Sequence, residues 1–289
     1  MKRVFIAGCG YIGVRVARLA RQAGAEVSCM VRSDERGAQL EAERYSTVVC
    51  TLDDPERIPE PRVAESVLFY FIPPPGGGAT DPRARNFCAA LSRSAPPSQI
   101  IYMSATSVYA ATDGSVVTEQ SPAIPATAMG KRRLDAENAF REYGASAGVP
   151  VVVLRVSGIY GPGRLPLMQI RQGHPLLKEE ESGPSNRIHA DDLARVCLAA
   201  AEKGCDGETF NVSDGHPSSM TSYFNAVATA LGEPLQPQVT MEEARRVMSP
   251  LMLSYVSETR VVDNTRMLER LGVTLQYPTL AEGLRTIHE

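Results

Sequence analysis

Three glycines near the start of the chain, in Gly8-Cys9-Gly10-Tyr11-Ile12-Gly13, constrain its fold more than any other feature. They follow an apolar run, Arg3 to Ala7, and precede a segment in which Ile12, Val16, Leu19, Ala20 and Ala23 share one helical face while Arg15, Arg18 and Arg21 lie elsewhere. In that strand-to-helix setting, glycine spacing of this kind permits a tight turn. It also lets backbone N–H groups approach a pyrophosphate at the positive end of the helix. Gly8, Gly10, Tyr11, Ile12 and Gly13 are therefore expected to touch a dinucleotide.

The same alternation continues downstream. Strand-like runs at Glu26 to Val31, Thr47 to Cys50, Ser66 to Ile72, Gln99 to Met103, Val151 to Val156 and Glu208 to Val212 alternate with helical patterns. This predicts an α/β fold, a doubly wound parallel sheet. Helices are expected after Gly130, where Ala136, Ala139, Phe140 and Tyr143 share a face, and over Asp191 to Lys203. With 43% hydrophobic residues and 30 basic against 33 acidic side chains, the chain is neither disordered nor generally attractive to nucleic acid or anionic membranes. Its apolar runs fall far short of the roughly 18 residues of a membrane span. The six cysteines show no CxxC spacing and no nearby histidines, so no metal site is expected. A cytoplasmic location, a small-molecule partner and pairing into a homodimer are the corresponding expectations.

About twenty residues beyond the glycine turn, where an acidic side chain would select NAD by binding the ribose hydroxyls, the sequence has Arg32-Ser33. A guanidinium and a hydroxyl suit a 2'-phosphate instead, so NADP is preferred to NAD. Asp34 is the residue that would take the ribose if Arg32 only faced solvent.

Further segments carry a family pattern: Ser104-Ala105-Thr106-Ser107-Val108-Tyr109, Leu154 to Arg164, Asn186 to Asp192, Asn264 to Leu268 and Tyr277 to Leu284. With the glycine turn, they make the chain resemble the extended short-chain dehydrogenase/reductase superfamily, the NAD-dependent epimerase/dehydratase group. The resemblance implies a Rossmann domain over residues 1–158, continued by about 187–213. It implies a small substrate lobe from 159–186 and 214–289, partly interleaved with it. It also places Leu52, Ile72, Pro73 and Ser157 beside the cofactor.

The resemblance implies a catalytic Tyr four residues before a Lys on one helix, with a Ser or Thr near the end of the fifth strand. The lysine and cofactor lower the tyrosine pKa from about 10, so that the phenol exchanges a proton with substrate. Counting from Lys131 leads to Thr127, and counting back from Tyr109 leads to Ala105. The candidate constellation is then Lys131 on the nicotinamide ribose, Thr106 or Ser104 on the reacting oxygen, and Thr127 as proton source through water. This is an atypical branch, for which two readings stand. One is an NADP-dependent oxidoreductase or epimerase-like enzyme acting on a carbonyl or alcohol, which includes nucleotide-sugar substrates. The other is a non-catalytic NAD(P)-binding sensor or scaffold. His189 is expected to be structural, and Arg164, Arg171 and Arg187 are candidates for an anionic substrate group.

Overall fold

A computed structural model describes residues 1–257 and 259–288. Seven strands make one sheet: β1 (Arg3–Ala7), β2 (Glu26–Val31), β3 (Ser46–Val49), β4 (Val67–Tyr70), β5 (Gln99–Ala105), and the strands Val151–Val156 and Thr209–Val212. Their spatial order is β3-β2-β1-β4-β5, followed by the 151–156 and 209–212 strands. Every pairing is parallel. A parallel sheet is covered on both faces, which is why its strands read as continuous apolar runs.

Alternate residues serve opposite layers. Val4 and Ile6 of β1 join the core that holds Ile12, Val16, Ala17 and Ala20 of helix α1 (Tyr11–Gln22), together with the Ala190–Lys203 helix. Phe5 and Ala7 face the other way, toward helices α3 (Pro82–Leu91) and α4 (Ala128–Ala147) and their Phe87, Ala136 and Phe140. Each fully buried side chain of this size contributes roughly 1.5–3 kcal/mol. Helix α2 (Asp34–Ala42) follows β2 and is capped by Ser33, whose Oγ accepts the Arg36 N–H.

The smaller lobe forms around Tyr160, Ile170, Leu176, Tyr223, Phe224 and Val227, with the Met220–Leu231 helix at its centre. A short parallel pairing of 158–160 with 187–189 stitches it to the sheet domain, and 184–185 pairs antiparallel with 218–219 inside the lobe. The Thr265–Leu271 helix departs from the lobe expected over 214–289: its Met267 and Leu271 are fully buried in the main core with the 190–203 helix. No helix among the described residues is long and apolar enough to cross a membrane. The chain leaves β1 and β4 toward opposite sides of the sheet, and the crevice beyond the carboxyl ends of these neighbours is where such sheets bind ligands.

Candidate functional site

Two cavities meet at that crevice. The larger, about 530 Å³, is lined by the glycine turn, the ends of β2 and β4, and Arg164 from the smaller lobe. The smaller, about 290 Å³, lies between the β5 end, the 156–160 segment and the Met220–Leu231 helix. Ile159 lines both.

The larger cleft has the shape a dinucleotide needs. Gly8 has φ 92°, and a Cβ there would lie 2.9 Å from the Ile72 nitrogen, so the turn and the segment after β4 touch only because Gly8 lacks a side chain. A Cβ on Gly13 would stand 2.7 Å from the Gly8 carbonyl oxygen. At Gly10 a Cβ would meet no atom within 4 Å, so there the missing side chain leaves open space beside the turn. Helix α1 begins here with no side-chain cap and no acid in its first turn, which leaves its N-terminal N–H groups for an anion. The residues present fit an NAD-type dinucleotide, with its pyrophosphate at the α1 N-terminus.

The cofactor positions read from the sequence converge. Gly8, Gly10, Tyr11, Ile12, Gly13, Arg32, Ser33, Leu52, Ile72 and Pro73 all line this one cleft. Ser157 lines the inner cavity instead, and its Oγ donates to the Val212 carbonyl at 2.8 Å. The cleft is locally basic although the whole chain carries −3. Arg32, Arg36, Arg83, Arg133 and Arg164 line it, against one carboxylate, Asp53. Arg83 grips Asp53 by two bonds of 2.6 and 3.0 Å and holds its carboxyl below the usual range.

The catalytic positions need correction. Thr127 is the N-cap of α4, its Oγ accepting the Gly130 N–H at 3.1 Å, so its hydroxyl serves the helix. Lys131 is exposed and lines neither cavity. Ser104 is buried, and its Oγ donates to Glu137 Oε1 at 2.6 Å beneath the site. Thr106 does line the inner cavity, as does Ala105. Two residues missed by counting from Lys131 occupy the expected geometry. Met129 lines the inner cavity and Arg133, one turn later, lines the cofactor cleft and donates to the Met103 carbonyl at 3.2 Å.

Gly130 sets this register. A Cβ there would lie 2.2 Å from the Ser107 carbonyl oxygen, so α4 packs directly on the turn after β5. The signal was present in the apolar face already read: Phe140, Ala136 and Arg133 continue it at spacings of four and three, and Met129 lies four further back, whereas Lys131 lies off that face. The side chains that α4 and the β5 end present to the two cavities are therefore Met129, Arg133 and Ala105. A thioether and a methyl group have no proton to give. Sequence counting also passed over Ser107, which is buried in the inner cavity wall with no partner for its Oγ among the described residues.

His189 behaves as a structural residue: it is fully buried, caps the 190–203 helix through Nδ1, and burial pushes its pKa down. Of the three candidate anion-binding arginines, Arg171 pairs with Glu233 at the surface. Arg164 joins the cofactor cleft, and Arg187 is buried in the inner cavity wall.

Residues 84–213 match the model of the NAD dependent epimerase/dehydratase family. The match covers less than half of the chain, which is similar to this family over that segment. Protein YeeZ of Escherichia coli (strain K12) is 26% identical, over 96% of this chain and 97% of that protein. A functionally unknown conserved protein from Silicibacter pomeroyi DSS shares the fold with a TM-score of 0.84 and 29% identity, covering 100% of this chain and 98% of that one. UDP-glucuronic acid 4-epimerase from Bacillus cereus, solved in complex with NAD, superposes with a TM-score of 0.74 at 17% identity over 99% of this chain and 97% of its own, a likeness of fold. Beside that likeness, the glycine turn lines the outer cleft and α4 presents Met129 to the inner cavity.

Proposed function

We propose that this chain is an NADP(H)-dependent oxidoreductase that passes hydride between the nicotinamide and a carbonyl or alcohol held in the inner cavity. The observation that carries the reading is the abutment of the two cavities at Ile159, one walled by the glycine turn and the other by the hydroxyl-bearing turn after β5. Support for NADP over NAD comes from the end of β2. Arg32, Ser33 and Arg36 line the cleft there, and Asp34, the acid that would serve an NAD ribose, does not. When bound, the dinucleotide supplies or accepts the hydride.

The chain's own residues have separable tasks. The α1 N-terminus and the glycine turn hold the pyrophosphate, and Arg133 binds the ribose in place of the family's lysine, with a charge that is never lost. Thr106 and Ser107 orient the reacting oxygen. The apolar walls from Met129, Val156 and Ile159 limit water. Without a phenol on α4, the proton passes through these hydroxyls from solvent, so turnover is expected to be slow.

That expectation has a direct check. Met129→Tyr with Ala105→Ser restores two of the three groups, and steady-state NADPH oxidation should rise by about a hundredfold, the contribution of a positioned acid–base group. The second reading, a nucleotide-binding sensor, is favoured by Met129 itself. It gains if the native chain has no turnover and only the double variant acts.

A further inference from the structure

We propose that the inner cavity recognises the anionic group, a carboxylate or a phosphate monoester, of a small carbonyl or alcohol compound through the guanidinium of Arg187. This rests on the reading of the inner cavity as the substrate site and narrows the substrate class.

The chain pairs another deeply buried guanidinium with acid. Arg155 meets Glu137 at 2.8 Å, both of them buried. Arg187 is equally buried, at 6% exposure, yet among the described residues no carboxylate lies within ion-pair distance of it. Its hydrogen bonds go to neutral groups: Nη1 donates to Ser218 Oγ at 2.9 Å and Nη2 to Ser185 Oγ at 2.9 Å, with longer contacts to the Ser218 and Ser219 carbonyls. The Tyr223 ring stacks at 4.0 Å from the guanidinium carbon. No protein acceptor among the described residues takes the Nε–H.

A buried charge without a counter-charge is costly, and a fold retains one most readily where a ligand brings the opposite sign. Burial already pulls Arg187 down to about 10, with Tyr223 and Asp214 opposing that pull. Asp214 does not line the cavity, and among the described residues no acidic side chain does. Arg260 stands in the same wall, with Nη1 on the Thr106 carbonyl at 2.9 Å. The unpartnered Ser107 hydroxyl supplies a polar group for a second substrate oxygen.

Size narrows the class further. A cavity of about 290 Å³ stands at the bottom of the range, about 300–1,000 Å³, that holds drug-sized ligands. It suits a compound of a few carbons rather than a nucleotide sugar.

The test is calorimetric titration of the full chain with malonate, with inorganic phosphate, and with uncharged malonamide of similar shape, in native protein and in Arg187→Met and Arg187→Lys. We expect malonate or phosphate to bind the native chain, malonamide not to bind, and affinity to fall at least tenfold in Arg187→Met and severalfold in Arg187→Lys, since a point charge cannot replace the fork. Which of the two anions binds distinguishes a carboxylate from a phosphate group. Equal anion binding by native protein and a folded Arg187→Met overturns the proposal, because the anion then sits elsewhere. If that variant does not fold, unchanged affinity in Arg187→Lys overturns it instead. NADPH titration of the same samples separates the two readings: loss of anion binding with NADPH binding intact leaves the oxidoreductase reading standing. Failed hydride transfer, conversely, leaves the anion site standing.

Discussion

Replacing Glu137 with alanine should lower the folding stability of this chain by about 3–5 kcal/mol. Glu137 is fully buried under the β5 end, where Oε2 meets Arg155 Nη2 at 2.8 Å and Oε1 meets Arg155 Nε at 3.1 Å. Ser104 adds a bond of 2.6 Å to Oε1. Alanine would leave the Arg155 guanidinium, 6% exposed, without its counter-charge, over the Tyr109 ring at 4.9 Å from its centroid. The loss is therefore dominated by a stranded buried charge rather than by the bonds themselves. Ser104→Ala, which removes one bond and leaves the ion pair, should cost only about 1 kcal/mol. Urea unfolding of the two variants measures the difference. Equal, small losses would mean that the pair is not buried as described.

Replacing Arg32 and Arg36 together with alanine should weaken NADPH binding by about 10²- to 10⁴-fold and NADH binding by less than tenfold. Each arginine would give up a charge-assisted bond to the 2'-phosphate, worth about 1.5–3 kcal/mol, and 1.4 kcal/mol is about tenfold in affinity. NADH has no phosphate there and should be nearly indifferent. Arg36 also donates through Nε to the Cys9 carbonyl at 3.4 Å, so Arg32→Ala alone serves as the variant that leaves the glycine turn untouched. Parallel losses for both dinucleotides, read by titration of nicotinamide fluorescence, would remove the basis for NADP preference. Arg32 is exposed, so the protein should unfold at an unchanged temperature in that variant.

The cofactor half of the site was legible in the sequence because its elements are contiguous. Gly8 to Gly13 lie within one turn, β1 and β2 are bounded as their apolar runs predict, and Arg32 and Ser33 follow directly from β2. The catalytic half was not, for two physical reasons. Helix α4 carries three basic residues in succession, Lys131, Arg132 and Arg133, and identity alone favours the lysine. Which of them faces the cleft is decided by Gly130 pressing on the Ser107 carbonyl, a tertiary contact. Likewise Ser104 and Thr106 look interchangeable in a strand-end segment, until Glu137, thirty-three residues on, takes the Ser104 hydroxyl. The return of the 265–271 helix to the main core was equally hidden, since Met267 and Leu271 carry an apolar pattern that either domain could have buried.

Hydride is expected to move within this site although α4 presents it with Met129 rather than a tyrosine. Incubating the native chain with NADPH deuterated at the nicotinamide C4, together with a panel of small carboxylated and phosphorylated carbonyl compounds, tests it most directly. Mass spectrometry should find deuterium on the carbinol carbon of at least one product, lost when Arg133 is replaced with alanine. Tight NADPH binding with no deuterium in any product would contradict the claim and leave the chain a nucleotide-binding protein without redox chemistry.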